Sequence, residues 1–93
     1  VSMGMNSALK TRQIIDIAAG VLGIEFMAAA QALDFRSYEV GKGTRAAYHE
    51  VRKHVEFLDI DRPLYKDHNA IQEAVRQCLI LDAVEKVVGP LAV

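Results

Sequence analysis

The chain has 93 residues, 52% hydrophobic and 25% charged, with 11 basic and 12 acidic side chains for a net charge of −1. That length supports one small domain with a modest core, and the near-neutral charge argues against nucleic acid as a partner. A single cysteine, Cys78, excludes an internal disulfide framework and fits a reducing, cytoplasmic setting.

The first predicted helix runs from about Ser7 to about Asp34, with Ile14, Ile17, Ala18, Val21, Leu22, Glu25, Ala28 and Ala29 recurring at spacings of three and four. Its other sides are also apolar between Ile14 and Leu33. A helix with one apolar stripe docks on one neighbour, whereas one apolar on every side must be enclosed by several. A chain of this length lacks them. Together with an opening at Val1 rather than methionine, this predicts a piece of a larger assembly, completed by upstream sequence, by other copies, or by both. Gly20 and Gly23 point to close approach of another helix or to a bend, because interior glycine costs about 1 kcal/mol relative to alanine.

Lys10 and Arg12 followed by an apolar run ending at Ala28-Ala29-Ala30 superficially copy a secretory leader. Asp16 and Glu25 interrupt that run, and a carboxylate is costly in lipid, so the expectation is a buried helix rather than a leader or a membrane anchor. Glu25 amid so much apolar surface is expected to be paired, hydrogen-bonded or protonated, a structural ion pair being the preferred reading. Gln31 poses the same question at lower cost.

A connector from Tyr38 to Gly43 leads to a second predicted helix, Arg45 to Val55, capped by Thr44. Ala47, Val51 and Val55 make its stripe, with Tyr48 beside it and Arg45, Glu50, Arg52 and Lys53 largely outside. Gly41-Lys42-Gly43-Thr44 fails as a phosphate loop, since no glycine stands four residues before the Gly-Lys pair; a helix start is the plain explanation. After a second connector holding Pro63, a third helix is expected from Asn69, capped by that residue with Gln72 in capping-box spacing, through Ile71, Val75, Cys78, Leu79, Ala83 and Val87 to a stop at Gly89-Pro90. The fold expected is all-α with three helices: one long, nearly all-apolar bundle helix and two amphipathic ones.

Chemistry-bearing clusters are sparse. His49 and His54 are five apart and point to different sides of one helix, so no zinc set forms with His68 and one cysteine. Asp59, Asp61 and Asp67 lack the glycine and glutamate of a calcium loop and suit pairing with Arg62 and Lys66, capping of the next helix, or exposure to water instead. Cys78, on the inner stripe, reads as a small buried hydrophobe. No catalytic, cofactor-binding or metal residue is assigned.

Four segments in succession do carry a resemblance: Val1-Ser2-Met3-Gly4, Ala8-Leu9-Lys10-Thr11-Arg12, Glu25 through Asp34 (Glu-Phe-Met-Ala-Ala-Ala-Gln-Ala-Leu-Asp), and Asp61-Arg62-Pro63-Leu64 with Asp67 beyond. In order and spacing the chain resembles the C-terminal region of the histidine ammonia-lyase family, whose relatives acting on phenylalanine or tyrosine, lyases and aminomutases alike, share much of the region. The resemblance implies an all-helical homotetramer of histidine catabolism that converts L-histidine to urocanate and ammonia. It also implies a methylidene-imidazolone electrophile made from an upstream Ala-Ser-Gly. Residues 1–93 would then be a C-terminal helical segment without the catalytic N-terminal part, inactive alone, whose partners are other copies of itself and that missing part. Ser2, Met3 and Gly4 would lie near the active site, since the family pattern places Gln-Glu-Asp-His immediately before them. Tyr38, Tyr48 and Tyr65 fall outside the family's tyrosine motif. The rival reading is a free-standing helical self-association module without catalysis.

Overall fold

The computed structural model describes residues 2–92, so Val1 and Val93 lie outside the described residues. It contains four helices: α1 Ser2–Asp34, α2 Lys42–His54, α3 Tyr65–Arg76 and α4 Leu79–Val88. The all-α expectation holds, and the expected count of three helices does not. The third expected helix is two, broken where Cys78 takes the left-handed conformation, φ 58 and ψ 26. The reason lies in the core. On an uninterrupted helix Ile80, nine residues after Ile71, would point about 180° away from it. Both belong to one buried cluster with Ala30, Val51, Val55 and Ala74. The break turns the chain so that both can, and it leaves Cys78 exposed rather than on the inner stripe.

Two further helix starts differ from expectation. Gly41, not Thr44, precedes α2: its carbonyl accepts the Arg45 amide at 2.9 Å, and no side chain caps the turn. Gly43 therefore sits inside the helix, where a Cβ would lie 3.5 Å from Val84 and Val88, so α2 begins pressed against α4. Helix α3 starts at Tyr65, four residues before Asn69, with the His68 amide bonded to the Leu64 carbonyl at 2.8 Å. Asp67 in its first turn suits the positive end of the helix. Gln72, released from the expected capping role, reaches across and donates to the Asp16 carbonyl of α1 at 2.8 Å.

The helices pack as two pairs, α1 with α3 and α2 with α4, sharing the small core just named. Gly20 and Gly23 mark a close approach: a Cβ at Gly23 would stand 2.9 Å from Ile71 Cγ2, and one at Gly20 3.3 Å from His68 and Gln72 side-chain nitrogens. His68 Nε2 lies 3.1 Å from the Gly20 carbonyl and donates to it. The described chain measures 56 × 36 × 16 Å with a radius of gyration of 15.7 Å, against about 12 Å for a compact domain of this size. A slab 16 Å thick is no more than two helices deep, so among the described residues nothing lies over one face of α1.

Candidate interaction surface

Helix α1 has 33 residues, giving about 50 Å of rod. Ala19, Gly20, Gly23 and Ala30 are its buried positions, all small, and they let α3 and the end of α2 come close. The opposite side carries Ile14, Ile17 and Val21, exposed by 63%, 66% and 53%. Ile15, Leu22 and Ile24 extend this exposed apolar surface. Isolated exposed hydrophobic residues are ordinary, but a contiguous strip of this kind marks a contact surface. An open groove of about 490 Å³ follows the α1–α3 seam, lined by Ile15, Ala18, Leu22 and Val75 with Arg12 and Arg76 at its edge. Arg76 Nε is 3.3 Å from Asp16 across it.

Glu25 is exposed within the chain and not buried, so the expected internal partner is lacking among the described residues. The reason is the thinness of the slab: the apolar surroundings read from the sequence are lateral neighbours on α1 itself, not a covering layer. By length and composition α1 could cross a membrane, with a mean hydropathy of 1.6 over its best window and 22% of that window buried. A core helix of a soluble protein and a signal sequence share that length and composition.

The C-terminal end of α1 is tied down by polar groups that the sequence reading placed mostly outside. Arg52 donates to Asp34 and to the Val55 carbonyl, the latter at 3.0 Å, and Tyr48 donates its hydroxyl to Asp34. The Tyr48 hydrogen bond, the largest effect, holds the Asp34 carboxyl below its ordinary value; burial opposes it next, and the Arg52 bond and charge add to the lowering. Glu50, paired with His54 at 2.9 Å and Lys53 at 3.2 Å, is lowered too, first by the His54 bond. Gln31 exchanges two bonds with the Leu58 backbone, accepting its amide at 3.1 Å and donating to its carbonyl at 2.9 Å. Arg62 then closes the connector: it donates to Asp67 at 3.1 Å, to the Phe57 carbonyl at 3.3 Å and to the Glu56 carbonyl at 2.9 Å. The expected pairing of Arg62 with this acidic group is observed at Asp67. Asp59 caps the Ile60 amide at 2.8 Å.

The remaining candidates stay apart. His49 is exposed and stacks edge-on against Tyr48, His54 is bound to Glu50, and His68 faces α1. Among the described residues no three His, Cys, Asp or Glu side chains are grouped to hold a metal ion. Met3 and Gly4 stand in the exposed first turn of α1. No serine of the chain, at 2, 7 or 37, lies between alanine and glycine, so its own residues do not fit formation of a methylidene-imidazolone.

Comparison with known proteins bears on this surface. The model of the aromatic amino acid lyase family matches residues 1–53. The histidine ammonia-lyase of Alkaliphilus metalliredigens is 50% identical over 92 residues, covering 98% of this chain and 18% of that enzyme. That of Clostridium tetani is 44% identical over 95% of this chain and 18% of its own length. That of Myxococcus xanthus is 49% identical over 90% of this chain and 17% of its own length. The chain thus spans less than a fifth of the curated relatives it matches. No solved structure matches it.

Proposed function

We propose, from the premise that this chain belongs to the aromatic amino acid lyase family, that it is a C-terminal helical and oligomerisation segment of a histidine ammonia-lyase. The intact protein would convert L-histidine to urocanate and ammonia in the cytoplasm. The observation that carries this reading is the uncovered apolar side of α1. A helix with Ile14, Ile17 and Val21 all more than half exposed belongs in the interior of something larger, and the matched relatives are more than five times longer than this chain. Histidine is preferred over phenylalanine or tyrosine as the substrate because the relatives at 50, 49 and 44% identity are named for it.

The division of labour follows from what the chain holds. The electrophile of the proposed parent, a methylidene-imidazolone, would supply the activation that a carbon–nitrogen elimination needs, and it would be formed upstream. This chain's residues supply no electrophile among those described; they supply a rod and a scaffold that braces its end. Arg52, Asp34 and Tyr48 fix α2 to α1, and Arg62 fixes the connector that delivers α3 to the underside of α1.

The test is to express the full reading frame that contains this segment. It should encode an in-frame Ala-Ser-Gly and Gln-Glu-Asp-His upstream and yield urocanate from L-histidine, followed by ultraviolet absorbance. The purified 93-residue chain should yield none. A full frame that releases ammonia from phenylalanine or tyrosine but not histidine would overturn the substrate. Urocanate from the short chain would overturn the division of labour.

A further inference from the structure

Besides Asp34 at its end, α1 carries four ionisable side chains: Lys10, Arg12, Asp16 and Glu25. Asp16 is held by Arg76 and Arg12 lines the groove on the α3 side. Lys10 and Glu25 remain, both exposed and neither in an ion pair among the described residues. At 100° per residue, Lys10, Ile14, Ile17, Val21 and Glu25 fall within a sector of about 80°, on the side of α1 away from Gly23 and Ala30. One uncovered strip therefore has isoleucine and valine at its centre, a cation at one end and an anion at the other.

The strip is balanced about a single point. Lys10 and Glu25 lie equally far from the midpoint between Ile17 and Ala18, and so do Ile14 and Val21. Turned antiparallel about that point, a second copy of α1 sets its Glu25 against Lys10 and its Lys10 against Glu25, while Ile14 meets Val21 twice. The next positions outward match as well: the small Ser7 meets the small Ala28, and the large Met3 meets the small Ala32. All of these side chains are exposed in the chain. A parallel copy would instead oppose lysine to lysine and glutamate to glutamate, which repel. A two-fold, self-complementary contact requires this reciprocity.

We infer that the occupant of the exposed face of α1 is α1 of a second copy of this chain, antiparallel, in the register that pairs Lys10 with Glu25 in both directions. The inference rests on the reading of α1 as an assembly helix and adds direction and register. It also gives Glu25 an ion-pair partner, which it lacks among the described residues of one copy.

Charge reversal in the full chain tests it. Lys10→Glu and Glu25→Lys should each weaken self-association about tenfold in sedimentation equilibrium, because two attractions become two repulsions. The double reversal should restore it, and mixing the two single variants should give a heterodimer. Helicity by circular dichroism shows that each variant folds. Cross-linking reads the direction independently: in a Cys78→Ser background, a mixture of Ile14→Cys and Val21→Cys chains should form a disulfide-linked heterodimer on oxidation, and neither variant alone should cross-link. Association insensitive to charge reversal, or Ile14→Cys chains that cross-link to themselves, would overturn the pairing. So would a folded monomer, or one that partitions into phosphatidylcholine vesicles instead of pairing. Loss of the register with urocanate production intact in the full frame would remove this inference and leave the proposed function standing; the reverse pattern would do the opposite.

Discussion

The two sides of α1 are built from different residues for different neighbours. Towards α3 it presents Ala19, Gly20, Gly23 and Ala30, all buried, and the neighbouring backbone comes close enough that a single added methyl group at Gly23 would meet Ile71 Cγ2 at 2.9 Å. Away from α3 it presents Ile14, Ile17 and Val21, and nothing among the described residues covers them. Between Ile14 and Gly23 the residues of the contact already made are small and those of the open side are large, whereas further along Phe26 and Met27 pack against the core. The difference teaches that hydrophobicity alone does not locate the core of a short chain: over that stretch the buried side of the helix is its less bulky side.

The sharpest way to break that comparison is to remove the same group from each side. Ile71, fully buried between α1 and the core cluster, should cost about 2–5 kcal/mol as Ile71→Ala, enough to abolish a cooperative thermal transition in so small a fold. Ile17→Ala should leave the helicity of dilute chain nearly unchanged and weaken only its association, since Ile17 is 66% exposed. Thermal melts across a concentration series distinguish the two. Equal losses of stability in dilute chain would show that the outer side is covered within one copy.

Next in size is Gly23→Val. The added Cβ would sit 2.9 Å from Ile71 Cγ2, and that branch methyl belongs to a fully buried side chain rather than to the far end of a flexible one. The strain should be about 1–3 kcal/mol, offset in part by the better helix propensity of valine over glycine. Gly4→Ala, with open space around it, is the control and should be neutral or slightly stabilising. A neutral Gly23→Val in urea unfolding would mean that α1 and α3 are further apart than described.

Much of this was legible in the residues. The all-round apolar helix, the Ala47, Val51 and Val55 stripe, the close approach at Gly20 and Gly23, and the pairing of Arg62 with an aspartate follow from periodicity and residue type, which are local properties. The break at Cys78 was not legible, because a single left-handed residue leaves the hydrophobic period of the flanking helices intact; only the demand that Ile71 and Ile80 share one core reveals it. Asn69 reads as a cap by type, yet the turn had already begun at Tyr65, where Arg62 and Asp67 organise the entry. Arg52 reads as a surface cation from its place on α2, but a long side chain can lie along a seam and bond Asp34 and the Val55 carbonyl from there. The antiparallel balance of Lys10 and Glu25 is written in the sequence, but it has no meaning until the structure shows that their side of the helix is the open one.

The smallest expected effect separates the polar brace at the end of α1 from both of its apolar sides. In the folded chain Asp34 and Glu50 hold their protons less tightly than in the unfolded chain, Asp34 chiefly through the Tyr48 hydroxyl and Glu50 chiefly through His54. The unfolded chain therefore takes up protons first as the pH falls. The stabilisation is complete above the ordinary carboxylate range, begins to fail within it, and is gone below the lowered folded-state values. These groups keep some contact with water, so the contribution should stay under about 1 kcal/mol. Tyr48→Phe removes the largest cause at Asp34 and keeps the ring against the core cluster. The melting temperature of the variant should accordingly fall less steeply between neutral and acid pH than that of the parent chain, while its melting temperature at neutral pH drops slightly. The association of α1 copies should not change with this substitution, since Tyr48 lies on the braced end and not on the open strip. A pH profile identical to the parent's would show that Arg52 alone holds Asp34, and that the hydroxyl contributes nothing to closing α2 against α1.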